Sequence, residues 1–468
     1  MRLEVIGYIF LFFILLFLQP EKNEVYSPGF NILMGVMYAF LLTLFLMRQR
    51  KGNRNWLRPD VIFLIGFTIV HIQIPFFEAI GIEPYMPEFI WINKNVVNYA
   101  TWMSVLAICS WIIGYSYFTP RIFGVYEQAD FKFRVNFYYY DFLLSILFLT
   151  FLFLVGKEFL RGAYDTGAWG GGASYLYLII GNMLYLRIVY FFSGLPRKTA
   201  HFTVFKEILK NKIFSIVLLT YCVMFTLTGS RGEILNILLV MAAAYALFVK
   251  PISMRALVLY VSIGAFVFTI LGAGRGKDYN SFSGESIFYR GYEAFSQEDN
   301  NKGITSELAS SVRIQYRAID TVPEKHPYLY GSTYVTALTA TVPFLTGAYI
   351  DLFSVPPQYT SSSRFFTYLG QGAYHTYGEG SEILSDIYIN FGSVCVFLFM
   401  FLFGALMGLV NTRARKFAFP YILIYVALTM SALYINRSYL LLPLSNIVYL
   451  YALHLLFSRR KNRNERCG

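Results

Sequence analysis

The feature that most constrains this chain is the recurrence of apolar runs near 20 residues long. A run of that length, at 1.5 Å rise per residue, crosses the hydrocarbon of a bilayer as a helix, and in lipid only helices and closed barrels satisfy their own backbone hydrogen bonds. About twelve such runs are present, at 3–18, 28–47, 60–82, 96–118, 137–156, 173–193, 213–229, 233–249, 256–273, 380–410, 417–435 and 438–457. Composition agrees, because 14% of the 468 residues are charged, against roughly 25% in soluble domains. An ordinary soluble enzyme, a disordered chain and a collagen-like rod are excluded. The expected fold is an all-α polytopic membrane protein with about 12 transmembrane helices. The first run resembles the core of a signal peptide, but no small-residue cleavage site precedes Gln19-Pro20, so it is expected to persist as a helix.

Orientation follows from the short connections, because Lys and Arg stay on the cytoplasmic side. Arg48, Arg50, Lys51, Arg54 and Arg58 follow the second run, and Arg197, Lys198, Lys206, Lys210 and Lys212 follow the sixth. Arg413, Arg415 and Lys416 follow the tenth, and the tail carries Arg459, Arg460, Lys461, Arg463 and Arg466. Connections of opposite parity hold only isolated cations such as Lys22, Lys94, Arg231 and Arg437. Both termini are therefore expected inside. The net charge of +12 reads as an orientation signal with an attraction to anionic lipid heads, and not as a nucleic-acid footprint.

This parity divides the chain into helices 1–9 (1–273), an extracytoplasmic loop domain (274–379), helices 10–12 (380–457) and a basic cytoplasmic tail (458–468). The loop far exceeds the usual limit of about 15 residues and is expected to fold. Within it, 306–322 predicts an amphipathic helix, with Thr305 or Ser306 as N-cap, Leu308, Val312, Tyr316 and Ile319 on one face, and Pro323 as the stop. Tyr334 to Leu345 is apolar but too short to span, so it is expected to lie in the interface or re-enter. Cys109, Cys222 and Cys395 fall in apolar runs and Cys467 in the tail, which gives neither a disulfide framework nor a metal spacing.

In so apolar a chain the informative residues are charges at the outer helix ends. Arg231 sits in Thr228-Gly-Ser-Arg-Gly-Glu233, Arg275 in Gly272-Ala-Gly-Arg-Gly-Lys-Asp278, and Arg437 in Asn436-Arg-Ser-Tyr439. A planar guanidinium matches phosphate with paired charge-assisted hydrogen bonds. Single arginines also snorkel at helix ends, but three on the side that should be poor in cations form a pattern. Where the loop re-enters, Glu382, Asp386 and Asn390 recur every four residues and form one polar stripe on a helix. Ser381 is a candidate cap and carboxylates suit a helix N-terminus, so a structural reading of the stripe stands beside a catalytic one. His375 and Glu379, just before it, are further groups able to accept a proton. Arg313 and Arg317 lie four apart on the loop helix, and Arg364 follows a serine run. His71, before Pro75, reads as a packed or helix-bonded imidazole, and Arg187 as a side chain that snorkels from its helix end.

The many-span layout with one large late loop resembles the bacterial oligosaccharide repeat-unit polymerases, the Wzy-type polymerases of O-antigen, capsule and exopolysaccharide. Three local features are similar: the turn at 228–233, the segment Tyr330-Gly-Ser-Thr-Tyr334 leading to Val342-Pro343, and the re-entry from Gly380 through Asp386 and Asn390 to Gly392. The family usually has Gly-Glu where this chain has Ser385-Asp386, which keeps the carboxylate and shortens its reach. The resemblance implies a metal-independent glycosyltransferase without cofactor, in the bacterial plasma (inner) membrane. It would act on polyprenyl-pyrophosphate-linked glycans at the outer face, alongside a chain-length regulator and a flippase. It further implies that Arg231, Arg275 and Arg437 hold pyrophosphate, with Arg364 or Arg317 supplied from the loop. The base would come from His375, Glu379, Glu382 and Asp386, with His375 or Glu382 first. An O-antigen ligase-like transferase and a lipid-linked oligosaccharide flippase share enough of this pattern to stand as alternatives.

Overall fold

The computed structural model describes residues 3–50, 55–120, 135–160, 170–228, 230–273 and 305–458, together with positions 289, 292, 293 and 303. Among the described residues all regular structure is helical, and each apolar run coincides with a helix. These are α1 (Leu3–Phe17), α2 (Pro28–Arg50), α3 (Pro59–Ala79), α4 (Val97–Phe118), α5 (Phe137–Leu160) and α6 (Gly170–Ser193). After the short α7 (His201–Lys210) come α8 (Lys212–Leu227), α9 (Arg231–Phe248) and α10 (Met254–Ala273). The following region holds α11 (Val312–Thr321), α12 (Ser332–Thr339), α13 (Leu345–Phe353) and α14 (Ser362–Gln371). The chain continues with α15 (Ile383–Arg415), α16 (Phe419–Ser431) and α17 (Leu444–Phe457). Among the described residues, 7 helices are long and apolar enough to cross a membrane, or up to 8 if α7 and α8, bent by 103°, count as one span. The chain is therefore a polytopic helical membrane protein.

It divides into two compact units. The first comprises residues 1–54, 58–126 and 300–444, the second 55–57, 127–299 and 445–468. In the first unit α4 is buried on nearly every face and α15 runs along it. Glycines bring the two backbones together: a Cβ at Gly404 would lie 2.1 Å from the Trp111 carbonyl oxygen, and one at Gly114 2.0 Å from that of Phe401. Gly404 and Gly408 form a small-residue repeat of the kind that packs membrane helices. Around this seam Trp111 is edge-on to Phe45 at 5.7 Å and stacked on Tyr115 at 5.3 Å. Such aromatic pairs add about 0.5–1.5 kcal/mol each beyond area burial.

Two expectations change. The helix over 306–322 divides into a single turn, Ser306–Ala309, and α11. Ser310 donates its hydroxyl to the Glu307 carbonyl at 2.9 Å, the local bond by which serine competes with a continuing helix. α11 stops at Thr321 because Val322 precedes a proline and is extended. The apolar stretch 334–345 is likewise not one element, since α12 ends at Thr339 and α13 begins at Leu345.

In the second unit Arg187 is buried rather than snorkelling. Its Nε donates to Asp141 Oδ1 at 2.8 Å and its Nη2 to Asn211 Oδ1 at 3.1 Å. The guanidinium lies between the rings of Phe137 and Phe214. Arginine keeps its charge at any accessible pH, so burial requires this pairing.

Candidate functional site

Of the polar residues singled out in the first unit, Arg313, Arg317, Glu379, Glu382, Asp386 and Asn390 gather around the start of α15. Glu382 is its N-cap, in place of Ser381. The extended backbone of Glu382 aims its carboxylate back at the helix, where Oε2 accepts from Leu384 N at 2.7 Å and Oε1 from Ser385 N at 2.6 Å. The Ser385 hydroxyl donates to Oε1 as well. An acidic cap here satisfies free N–H groups and meets the positive end of the helix dipole. Glu382 Oε2 also faces His71 Nε2 at 3.6 Å, and both residues are wholly buried.

Sequence reasoning missed this His71 contact. His71 occupies a π turn, Thr68–Ile72, inside α3. Pro75, four residues on, has no N–H to offer the His71 carbonyl, and the ladder is already broken there. The imidazole lies against the Phe67 ring at 4.4 Å. Gln315 is its polar neighbour from α11 and donates to Ala100 O at 3.1 Å and Ser104 Oγ at 3.0 Å. A histidine followed four residues later by proline was the available signal.

The rest of the stripe is buried and engaged. Asp386 Oδ2 accepts from Leu440 N at 3.1 Å, and the hydroxyls of Ser362 and Tyr334 lie beside the same carboxylate. Asn390 accepts from Gly331 N at 3.1 Å and donates to Thr333 Oγ1 at 2.8 Å and to Asp386 O at 2.7 Å. The segments 330–334 and 380–392 are thereby joined directly. α15 then breaks at Gly392, whose φ of 79° places it in the left-handed region.

Beside the stripe is a cationic group. Arg313 and Arg317, one turn apart on α11, both turn to Glu379. Arg313 Nη1 pairs with Oε2, Arg313 Nη2 donates to the Glu379 carbonyl at 3.2 Å, and Arg317 Nη1 is 3.6 Å from Oε1. The Glu379 backbone N–H is held by Thr367 Oγ1 at 3.0 Å. The Phe89 ring covers the Arg313 guanidinium at 3.9 Å. Gly370 makes room for this pair: a Cβ there would stand 1.6 Å from Arg317 Nη1 and 2.8 Å from Glu379 Oε1. Burial, followed by the charge of Arg317 and then that of Arg437, lowers the Arg313 pKa to about 10, against a partial rise from Tyr377. Burial lowers that of Arg317 as well. Arg317 and Arg437 therefore both lie within electrostatic reach of Arg313. Arg437 Nη1 also pairs with Glu307 Oε1 at 3.0 Å.

The remaining sequence candidates lie elsewhere. His375 is exposed on the connection between α14 and α15. Arg364 is exposed on α14 and donates to Thr360 Oγ1 at 3.1 Å. Arg231 opens α9 in the second unit, at the helix end where the dipole disfavours a cation. Arg275 lies outside the described residues. Among the described residues no three His, Cys, Asp or Glu side chains are grouped so as to hold a metal ion. What the site offers is cationic: guanidiniums gathered on Glu379, next in sequence to a carboxylate stripe that caps and fastens α15.

No protein-family model, curated protein or solved structure shows detectable similarity to this chain.

Proposed function

We propose that this protein polymerises polyprenyl-pyrophosphate-linked oligosaccharide repeat units at the outer face of a bacterial plasma membrane. In this reading the chain crosses about 12 times, both termini are cytoplasmic, and residues 274–379 are extracytoplasmic. The observation that carries the proposal is the collection of Arg313, Arg317 and Arg437 beside the loop that bears His375. A pyrophosphate ester needs clustered positive charge to depart, and preorganised guanidiniums supply it without reorganisation during the reaction.

The reaction is a glycosyl transfer. The acceptor hydroxyl gives its proton to a base while its oxygen bonds to the anomeric carbon of the donor. The bond from that carbon to the pyrophosphate oxygen breaks, and polyprenyl pyrophosphate leaves with the electron pair. His375 is the base in this reading, because Glu382 is wholly buried as the α15 cap and Glu379 is neutralised by two arginines. Asp386 and Glu382 then act as scaffold. Arg317 and Arg437 hold the pyrophosphate together with Arg313. Arg364, Arg231 and Arg275 remain phosphate candidates from the sequence, and each is tested by its own Lys variant.

The test compares the length of glycan on the lipid carrier in cells with and without this gene. Single unextended units on its loss support polymerisation. Long unattached chains would assign the protein to ligation, and donor trapped inside would assign it to flipping. Arg317→Lys and Arg437→Lys should leave membrane insertion intact and shorten the glycan to the length seen without the gene. Full-length glycan in both variants would overturn the pyrophosphate assignment.

A further inference from the structure

The α12–α13 segment has the chemistry of a protein surface that meets lipid. Residues 327–363 contain one charged side chain, Asp351. No residue of α13 is buried within the protein, and Leu338, Val342, Phe344, Leu352 and Phe353 are exposed. On a water-facing loop this would be a large apolar patch with a high hydration cost.

The threonine hydroxyls of the hairpin are bonded within it, while Asp351, its one charged side chain, is exposed. The hydroxyls of Thr336, Thr339 and Thr341 donate to the carbonyls of Ser332, Thr336 and Leu338 at 3.3, 2.9 and 2.7 Å. The Thr339 and Thr346 hydroxyls meet at 3.3 Å and tie α12 to α13. Threonines that bond to their own helix carbonyls need no water, which is the requirement lipid imposes.

The position of the hairpin on α15 agrees. After the break at Gly392, Val394, Leu398, Leu402 and Leu406 form an exposed stripe at helical spacing. From Val394 to Arg413 this segment is about 28 Å long at 1.5 Å per residue, close to the hydrocarbon thickness of about 30 Å. The Tyr334 ring at the start of α12 packs edge-on against Phe391 at 5.3 Å and Phe399 at 6.0 Å. Phe399 lies about 8 Å along α15 from Val394, within the range of about 5–10 Å to which interfacial helices sink. The hairpin is therefore continuous with the lipid-facing surface of a span.

We propose that α12 and α13 form a hairpin inserted from one side into a single leaflet, with the acyl chains of that leaflet covering Leu352 and Phe353. The proposal does not depend on the reaction proposed above.

The test uses the full chain in phospholipid vesicles, with Cys109, Cys222, Cys395 and Cys467 replaced and single cysteines at Leu352, Phe353 or Tyr374 carrying a nitroxide. Spin relaxation by oxygen, which partitions into hydrocarbon, is compared with relaxation by a water-soluble nickel chelate. At 352 and 353 oxygen should dominate several-fold; at 374, on the exposed connection, the nickel chelate should dominate. Equal nickel access at all three positions would overturn the proposal. So would shielding of 352 and 353 from both reagents, which would mean that protein covers the hairpin. Because a label can perturb its site, Leu352→Trp and Phe353→Trp provide a second reading: brominated acyl chains should quench the added fluorescence, and unquenched emission in both variants would count against insertion.

Discussion

The side chain of Asn390 accepts a hydrogen bond from the Gly331 backbone N–H at 3.1 Å, across 59 residues of sequence. Its amide donates at the same time to Thr333. One carboxamide thus fastens the turn before α12 to the first segment of α15. It works as a clasp because it is wholly buried and amide groups supply both donors and acceptors.

Asn390→Ala should release this turn. The Gly331 N–H and the Thr333 hydroxyl would lose their buried partner, at a cost of about 1–3 kcal/mol. Unfolding in vesicles should shift by that amount, and proteolysis near Tyr330 should accelerate. Unchanged stability and cleavage would mean that other contacts hold the turn.

Gly370→Ala should displace an arginine without replacing it. The new methyl would fall 1.6 Å from Arg317 Nη1, so the guanidinium must leave its place beside Glu379. In the repeat-unit assay the variant should resemble Arg317→Lys, while insertion stays normal. Gly347→Ala is the control, since no atom lies within 4 Å of a Cβ there. Equal activity in the two alanine variants would show that the position of Arg317 does not matter.

Gly404→Ala places a methyl 2.1 Å from the Trp111 carbonyl oxygen. Backbone cannot yield as a flexible side chain does, so α4 and α15 must separate. Overpacking of this kind costs about 1–3 kcal/mol or more. The folded fraction recovered from membranes should fall, and Gly264→Ala, with open space around its Cβ, should leave it unchanged.

Asp320 gives a pH dependence of definite sign. Burial opposes its charge, but hydrogen bonds from Lys325 and Asn93, with the charges of Lys325 and Lys22, outweigh this and hold its pKa below the ordinary aspartate range. A depressed pKa contributes stability that is present above the unfolded value, about 3.9, and is lost as pH falls through the lower folded value. Asp320→Asn should be less stable than the native chain at neutral pH, and the gap should narrow in acid. A gap that is constant from neutral to acidic pH would exclude this linkage.

Much of the architecture was legible along the chain. Each apolar run became a helix because a backbone in lipid has few other ways to satisfy its hydrogen bonds. The stripe of Glu382, Asp386 and Asn390 was visible from its spacing, since residues four apart share a helix face. The small-residue repeat at Gly404 and Gly408 was readable as well and was overlooked.

The partners were not legible. Glu379 looks like a free base until Arg313 and Arg317 close on it from 66 and 62 residues away. His71 looks like a packing residue until α3 is set against the cap of α15. Periodicity reports which face of one helix is polar, but it holds no information about which other helix that face will meet. The sequence alone determined that these segments are helical, apolar and spaced for a membrane, because those are local consequences of backbone chemistry in lipid. Only the tertiary structure decided which charges neutralise one another, because ion pairing acts through space between segments that the chain order leaves far apart.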